Sequence, residues 1–316
     1  MRVCLMIEGQ ESVSWEDWLA LAKACEASEI EALFRSDHYL SVMGRAERSS
    51  LDAWATISAL AAVTSTLRLG TLVSPVTFRH PSVLAKNVVT ADHIAGGGRI
   101  ELGLGAGWLE AEHAAYGFPF PPTGERFRML EEQIEIIRRQ WDEGPLDFEG
   151  EYYRLDRLNA LPKPLSPPNL IVGGRARPRS LALAARWADE YNLVMASVEE
   201  CRAAVPLIRE AWEAAGRSAP VISLMTGGVV GSDQVDLLER VHQVAEIRGD
   251  DATDPEAYIR DLPADWLVGT VAEVSGRLAE LEEAGVERLM LRYLPHRDLD
   301  GVDYIAELAE TGSGQE

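Results

Sequence analysis

Short apolar runs alternate with amphipathic segments along the whole chain. The apolar runs are largely hydrophobic at successive positions, which is typical of strands covered by helices on both faces. They lie at residues 2–7, 31–36, 68–73, 100–104, 169–172, 190–194, 221–225 and 286–291. In the segments between them, apolar residues recur at helical spacing. The pattern therefore predicts eight parallel strands, each followed by a helix.

Capping residues mark where several helices begin and end. Ser14 and Thr270 precede amphipathic segments, and Pro81 suits the first turn of the helix that glycines at 96–98 terminate. Four segments depart from the alternation. They are a proline-rich loop with a short helix at 109–122, a hairpin at 146–155, an insertion with two helices at about 227–267, and a disordered tail at about 311–316.

Eight strand–helix repeats are the pattern of the (β/α)8 TIM barrel. The 316-residue chain is long enough for such a barrel, and no change in composition indicates a linker. We therefore expect one domain over residues 1–316. A doubly wound parallel sheet is the competing architecture, because it also alternates strands and helices.

The charge balance excludes some partners. Lys and Arg number 30 against 51 Asp and Glu, which gives a net charge of −21 and opposes binding to nucleic acid or anionic membranes. The three cysteines, Cys4, Cys25 and Cys201, show no metal or redox spacing, and we expect a reducing, cytoplasmic setting. No apolar run is long enough for a signal peptide or a membrane span. A small-molecule substrate is the expected partner.

The glycine-rich turn after the fourth strand does not bind a dinucleotide in the Rossmann manner. Counting from Gly103, the third position of G-x-G-x-x-G is Trp108, and counting from Gly105 it is Glu110. Two interpretations stay open for the turn Gly105-Ala106-Gly107. It is either a tight turn of small residues or a wall where the backbone approaches a flat ring.

Two further strand ends carry candidate chemistry. Asp37 and His38 follow the second strand, where an imidazole suits proton transfer and a barrel places its site; the alternative is a capping Asp and a surface His. Val73-Ser74 precedes a proline at the third strand's end, and on sequence alone this is a simple strand exit.

The turn after the fifth strand favours an anion. Gly173-Gly174-Arg175 and two further arginines precede a helix N-terminus, and this combination binds phosphate; the alternative is an exposed basic turn. The histidines show no zinc-binding spacing, so we expect no metal.

Together these residues resemble the bacterial-luciferase-like family of flavin and deazaflavin oxidoreductases. The matching segments run from about residue 2 to the C-terminus and are weakest over 227–267. They are SDHY, LGTLVSPVTFRHPSVLAK, GGGRIELGLGAGW, ERFRMLEEQIEIIRRQW, FEGEYYRL and LIVGG. The resemblance implies a TIM barrel with a ring system at its C-terminal mouth. RSDHY and GLGAGW are most similar to the branch that uses the deazaflavin coenzyme F420.

On this resemblance, His38 faces the reactive part of the ring as acid or hydrogen-bond donor, and Asp37 helps to position the end of the second strand, so both are assigned to the catalytic site. Val73-Ser74 carries a non-prolyl cis peptide and forms a bulge against the ring. The residues that border the cofactor or meet its phosphate are Gly105, Ala106, Gly107, Trp108, Gly173, Gly174 and Arg175. Homodimerisation is also compatible with the resemblance.

One departure from the F420 branch concerns substrate. Its glucose-6-phosphate dehydrogenases carry a glutamate where this chain has Trp108, which argues against that activity. The sequence therefore predicts an F420-dependent oxidoreductase with an unidentified organic substrate. A reduced-FMN-dependent monooxygenase on the same fold is the first alternative, and a cofactor-binding protein without turnover is the second.

Overall fold

The computed structural model describes residues 1–28, 30–142 and 144–311, and it contains eleven strands. In chain order they are β1 (Arg2–Ile7), β2 (Ala32–Arg35), β3 (Arg68–Pro75), β4 (Ile100–Gly105), β5 (Leu146–Glu149), β6 (Arg154–Leu158), β7 (Asn169–Gly174), β8 (Glu190–Val194), β9 (Val221–Gly231), β10 (Leu267–Thr270) and β11 (Arg288–Arg292).

Eight of these strands close into a parallel barrel. The sheet runs β9-β11-β1-β2-β3-β4-β7-β8, and pairing of β8 with β9 joins its two ends. This closure excludes the doubly wound alternative and confirms the predicted (β/α)8 barrel. The predicted hairpin is the separate antiparallel pair β5–β6, which turns at Gly150.

The eleven described helices are α1 (Trp15–Ala27), α2 (Ala53–Val63), α3 (Pro81–Ala95), α4 (Glu110–Tyr116), α5 (Thr123–Asp142), α6 (Pro178–Trp187), α7 (Val198–Ala214), α8 (Gln234–Arg248), α9 (Pro255–Asp261), α10 (Val271–Glu283) and α11 (Asp300–Thr311). Ser14 and Thr270 form capping boxes, and Gly96 ends α3 in the left-handed conformation. The sequence signals thus act as predicted. Of the predicted tail, residues 312–316 lie outside the described residues.

The insertion differs from its predicted bounds at both ends. Strand β9 continues through Gly231 instead of ending at residue 225, and β10 pairs with this extension. Two glycines made the extension resemble a loop. In the fold, a side chain at Gly227 would collide with Trp266 and one at Gly228 with Leu291, so close packing requires their small size. Helices α8 and α9 are the two predicted helices.

Three apolar clusters stabilise these layers. The largest fills the space between helices and barrel and includes Trp18, Trp54 and Trp212. A smaller one fills the barrel interior, and a third joins the insertion to the barrel around Trp266. Within the described ranges, no helix is both long and apolar enough to cross a membrane.

Candidate functional site

A cavity of about 640 Å³ opens at the C-terminal ends of the barrel strands. Parallel barrels place their sites at this end. Nine of the eleven residues predicted from the sequence line it, namely His38, Val73, Gly105, Ala106, Gly107, Trp108, Gly173, Gly174 and Arg175. The fold therefore brings together predicted residues from distant strand ends, since His38 and Arg175, 137 positions apart, line one space.

His38 is held from behind by a buried carboxylate. Its Nδ1 lies 2.9 Å from Oε2 of Glu112, whose side chain is 0% exposed. The other carboxylate oxygen accepts hydrogen bonds from the backbone N–H groups of Tyr39 and Leu40. Glu112 therefore fixes both the imidazole and the backbone that follows it. With Nδ1 engaged, Nε2 is the ring nitrogen left for a ligand.

The carboxylate also changes the acidity of the imidazole. Burial disfavours the charged ring, but the hydrogen bond and the negative charge of Glu112 outweigh burial and raise the pKa of His38 above its ordinary value. Glu8 and Asp37 add to this in the same direction. His38 consequently keeps its proton to higher pH than a free histidine does.

Asp37 lies behind the cavity wall, not among its lining residues. Its Oδ2 accepts a hydrogen bond from Ser74 Oγ at 2.7 Å and from Arg79 Nη1 at 2.6 Å, and the residue is 1% exposed. Arg79 in turn bridges to Asp52 at 2.6 Å. These contacts anchor the end of β2.

The predicted cis peptide is present one bond earlier than expected. It joins Leu72 to Val73, not Val73 to Ser74. The pairing of β3 with β4 shifts register between Thr71 and Ser74, and Val73 faces the cavity at this bulge. Ser74 points the other way and is fully buried, because its hydroxyl bonds Asp37 and accepts from Trp54. Ser74 therefore lines no part of the cavity.

The glycines of β4 make room for this bulge. A Cβ at Gly105 would lie 2.7 Å from Val73 Cγ2, and Gly107 adopts a positive φ of 76°. The segment is thus a turn of small residues, and it lines the cavity. Small residues on β4 let the β3 bulge form, and both then face the same cavity.

The basic turn after β7 leaves donors for an anion. Arg175 is exposed and has no hydrogen bond or ion pair with a described residue, whereas Arg179 pairs with Glu131 at 3.1 Å. No side chain caps the N-terminus of α6, which begins at Pro178. A guanidinium beside free helix amides suits a phosphate group.

Sequence reasoning missed several polar residues at the site, among them Glu112, Glu8 and Arg292. Glu112 is 74 positions from His38 and lies on the short helix α4, so no spacing signal connects the two. Glu8 follows β1 and Arg292 ends β11, and both line the cavity. Their place at the C-terminal ends of barrel strands was the available signal. Across the described parts of the chain, no three His, Cys, Asp or Glu side chains form a group that could hold a metal ion.

The chain belongs to the luciferase-like monooxygenase family, whose sequence profile matches residues 3–288. Members of this class are oxidoreductases and monooxygenases that act on small molecules, and enzymes dependent on F420 and on reduced FMN both occur among the relatives.

Three relatives show the range of this similarity. An uncharacterized protein of Mycobacterium tuberculosis is 34% identical over 169 residues, which cover 53% of this chain and 58% of that protein. The F420-dependent glucose-6-phosphate dehydrogenase of Kineococcus radiotolerans is 32% identical over 208 residues, 62% of this chain and 58% of the enzyme. The FMNH2-dependent dimethylsulfone monooxygenase of Pseudomonas putida is 28% identical over 263 residues, 75% of this chain and 72% of the enzyme. The chain thus spans less than two thirds of the length of the first two.

Solved structures share the fold over nearly the whole chain. Monooxygenase RslO1 from Streptomyces bottropensis superposes with a TM-score of 0.82 at 23% identity, covering 99% of both chains. An F420-dependent secondary alcohol dehydrogenase superposes with a TM-score of 0.80 at 21% identity, covering 98% of both. At these identities the likeness establishes the barrel fold.

Proposed function

We propose that the chain is an F420-dependent oxidoreductase that moves a hydride between the deazaflavin coenzyme and an organic substrate. The observation that carries the proposal is the His38 ring, which reaches the cavity with Glu112 bonded behind it. F420, when bound, would supply the hydride chemistry. The residues of the chain would bind and orient the reactants and handle the proton.

The proton step fits His38. Reducing a carbonyl to an alcohol places one hydride on carbon and one proton on oxygen, and alcohol oxidation removes both. His38 would donate or accept that proton through Nε2, because Nδ1 is engaged by Glu112. The raised pKa favours the protonated form of the imidazole, which is the proton donor.

The cavity also fits the shape and charge of such a cofactor. Its volume of about 640 Å³ is in the range of small-molecule sites. Val73 and the turn Gly105-Ala106-Gly107 offer a wall for a flat ring. Gly173, Gly174 and Arg175, with the N-terminus of α6, would meet the phosphate. F420 and FMN share a tricyclic ring and a phosphate, so this fit supports the cofactor class.

A reduced-FMN-dependent monooxygenase is the second candidate. The similarity to the dimethylsulfone monooxygenase covers more of the chain than the similarity to the F420-dependent dehydrogenase. RSDHY and GLGAGW favour the F420 branch. Trp108 replaces the glutamate of the glucose-6-phosphate dehydrogenases, so we propose a substrate other than that sugar phosphate.

Equilibrium titration of the purified apoprotein with F420 and with FMN tests the cofactor. We expect saturable binding of F420, stronger than that of FMN. Tight FMN binding with no detectable F420 binding would contradict the proposal and favour the FMN-dependent monooxygenase. Oxygen consumption with reduced FMN and candidate substrates would then confirm that choice, since reduced flavin captures dioxygen readily and reduced deazaflavin does not.

A protein that only carries a cofactor would also bind F420. Hydride exchange between bound F420 and a panel of alcohols and ketones distinguishes it from an enzyme. Exchange that depends on His38 supports the enzyme, whereas binding without exchange, unchanged in His38→Ala, supports a carrier.

A further inference from the structure

We infer that Arg292 recognises the substrate, by donating a hydrogen bond to an uncharged oxygen acceptor, such as a ketone, ester or amide carbonyl, on an otherwise apolar molecule. This inference rests on the proposed function, because it assigns the substrate-binding part of the same cavity. Arg292 lies at the mouth end of β11, and its side chain lines the cavity with 22% of its surface exposed.

The guanidinium of Arg292 has donors that no described residue uses. A guanidinium carries five N–H groups. The nearest carboxylate oxygen, Oε1 of Glu8, is 3.6 Å from Nη1, which is too far for a good hydrogen bond. Nε is shut off from solvent and has no acceptor. The exposed nitrogens at the cavity surface are therefore available to a ligand.

Arg292 is nevertheless fixed in place. Its Cζ lies 5.3 Å from the centre of the Trp266 ring, and Trp266 is 2% exposed. Trp266 packs on the backbone of Gly227, which is the residue that pairs with Arg292 between β11 and β9. This support orients the guanidinium without consuming its N–H donors, which is what a recognition group requires.

The neighbouring Glu8 argues against an anionic substrate. Its Oε2 accepts a hydrogen bond from Gln10 Nε2 at 2.8 Å, and its Oε1 faces Arg292. A substrate carboxylate on Arg292 would also approach the Glu8 carboxylate, and like-charge repulsion would offset the attraction. A carbonyl oxygen can take the free N–H without adding a charge.

The rest of this part of the cavity suits an apolar body. Met6 and Met225 extend from strands on either side of β11, and Val42 lies on the loop after β2. Methionine side chains adapt to ligands of different shape. Together with Arg292 they predict a substrate with a flexible apolar body and one oxygen acceptor.

Methyl-labelled methionine gives a local measurement of binding. The chain contains seven methionines, and Met→Leu substitutions would assign the Met6 and Met225 signals. We would titrate the full-length protein with 2-heptanone, heptanoate and 1-heptene, which share an apolar chain and differ at one end. In the wild type, 2-heptanone should shift both signals with the lowest Kd. Arg292→Met should raise that Kd about tenfold and leave the Kd of 1-heptene unchanged, because only the ketone loses a hydrogen bond to a charged donor.

Three variants separate recognition from structural damage. Arg292→Met leaves the Glu8 carboxylate without a neighbouring positive charge. The double variant Glu8→Gln with Arg292→Met removes both charges, and it should lose ketone selectivity to the same extent. Glu8→Gln alone should shift preference toward heptanoate, because the guanidinium is then unopposed. Arg154→Met, which changes an exposed arginine on the hairpin, is the matched control and should change no Kd.

Tighter binding of heptanoate than of 2-heptanone by the wild type would overturn the inference in favour of an anion. An unchanged ketone Kd in Arg292→Met, or the absence of saturable shifts with all three probes, would also overturn it. If neither F420 nor FMN binds while ketone selectivity still depends on Arg292, the proposed function fails and the recognition role stands. If a cofactor binds but ketone selectivity does not depend on Arg292, the recognition role fails and the proposed function stands.

Discussion

Two arginines on the same strand have opposite environments. Arg288 begins β11 at the base of the barrel and Arg292 ends it at the mouth, and their even spacing directs both toward the interior. Arg288 is 1% exposed and donates to Glu31 at 2.7 Å, to Glu101 at 2.7 Å and to Glu190 at 2.9 Å. Arg292 donates to none of the described residues. At the base of the barrel, the arginine is paired with carboxylates of the protein. At the mouth, the arginine keeps N–H donors that a ligand can use.

The comparison explains how one barrel serves stability and binding. A buried charge is tolerated only when partners compensate it, and the base supplies them from several strands. At the mouth, His38, Arg175 and Arg292 each retain unpaired donor capacity beside the cavity. This division agrees with the general separation between the stabilising and functional faces of such barrels.

The largest effect on stability is expected from removing the arginine that pairs with the buried carboxylates at the base of the barrel. Arg288→Met should lower the free energy of unfolding by about 3–5 kcal/mol, because it leaves buried carboxylates without their cation. Arg292→Met should lower it by only about 1 kcal/mol, since the side chain makes no hydrogen bond and its contact with Glu8 is long, at 3.6 Å. Urea unfolding followed by circular dichroism measures both. Equal destabilisation by the two variants would contradict the proposed division.

His38→Ala tests the catalytic role proposed for the histidine at the mouth of the barrel. Removing the proton donor should lower kcat by about 10²–10⁴-fold, which is the usual range for general acid–base catalysis. The Kd of the cofactor should change little, because the proposed phosphate site lies at Gly173, Gly174 and Arg175, away from His38. His242→Ala, at an exposed position on α8, is the matched control. A large loss of cofactor affinity in His38→Ala alone would show that His38 binds rather than catalyses.

Asp37 lies near the mouth of the barrel, but one of its carboxylate oxygens already accepts hydrogen bonds from Ser74 and Arg79. Asp37→Asn should lower the free energy of unfolding by about 2 kcal/mol, since charged hydrogen bonds to Arg79 and Ser74 are weakened. We expect the shape of the pH–rate profile to stay unchanged. A shifted profile with unchanged stability would support a catalytic role for Asp37.

The smallest effect concerns the phosphate. Arg175→Ala should raise the Kd of FMN or F420 about tenfold, because one charge-assisted hydrogen bond is lost at an exposed site. The Kd of riboflavin, which lacks the phosphate, should not change. Equal weakening of FMN and riboflavin would place Arg175 against the ring instead of the phosphate.

The sequence predicted the barrel because buried parallel strands are nearly continuous apolar runs, and residues at their C-terminal ends converge in any such fold. It therefore found His38, Val73 and Arg175. It could not find Glu112, because this residue lies on the short helix α4 and no spacing connects it to His38. The cis peptide was placed one bond late, because only the register of β3 against β4 shows which residue forms the bulge.

The pKa of His38, followed by NMR in the wild type and in Glu112→Gln, shows whether Glu112 controls the acidity of the imidazole. We expect a wild-type pKa above the ordinary value of about 6.5. In the variant, the pKa should fall below the wild-type value, because burial then acts with less opposition. Carbonyl reduction, which needs protonated His38, should then be lost at lower pH in the variant. A wild-type pKa at or below 6.5 that does not change in Glu112→Gln would contradict the claim that a buried carboxylate holds His38 ready for proton transfer.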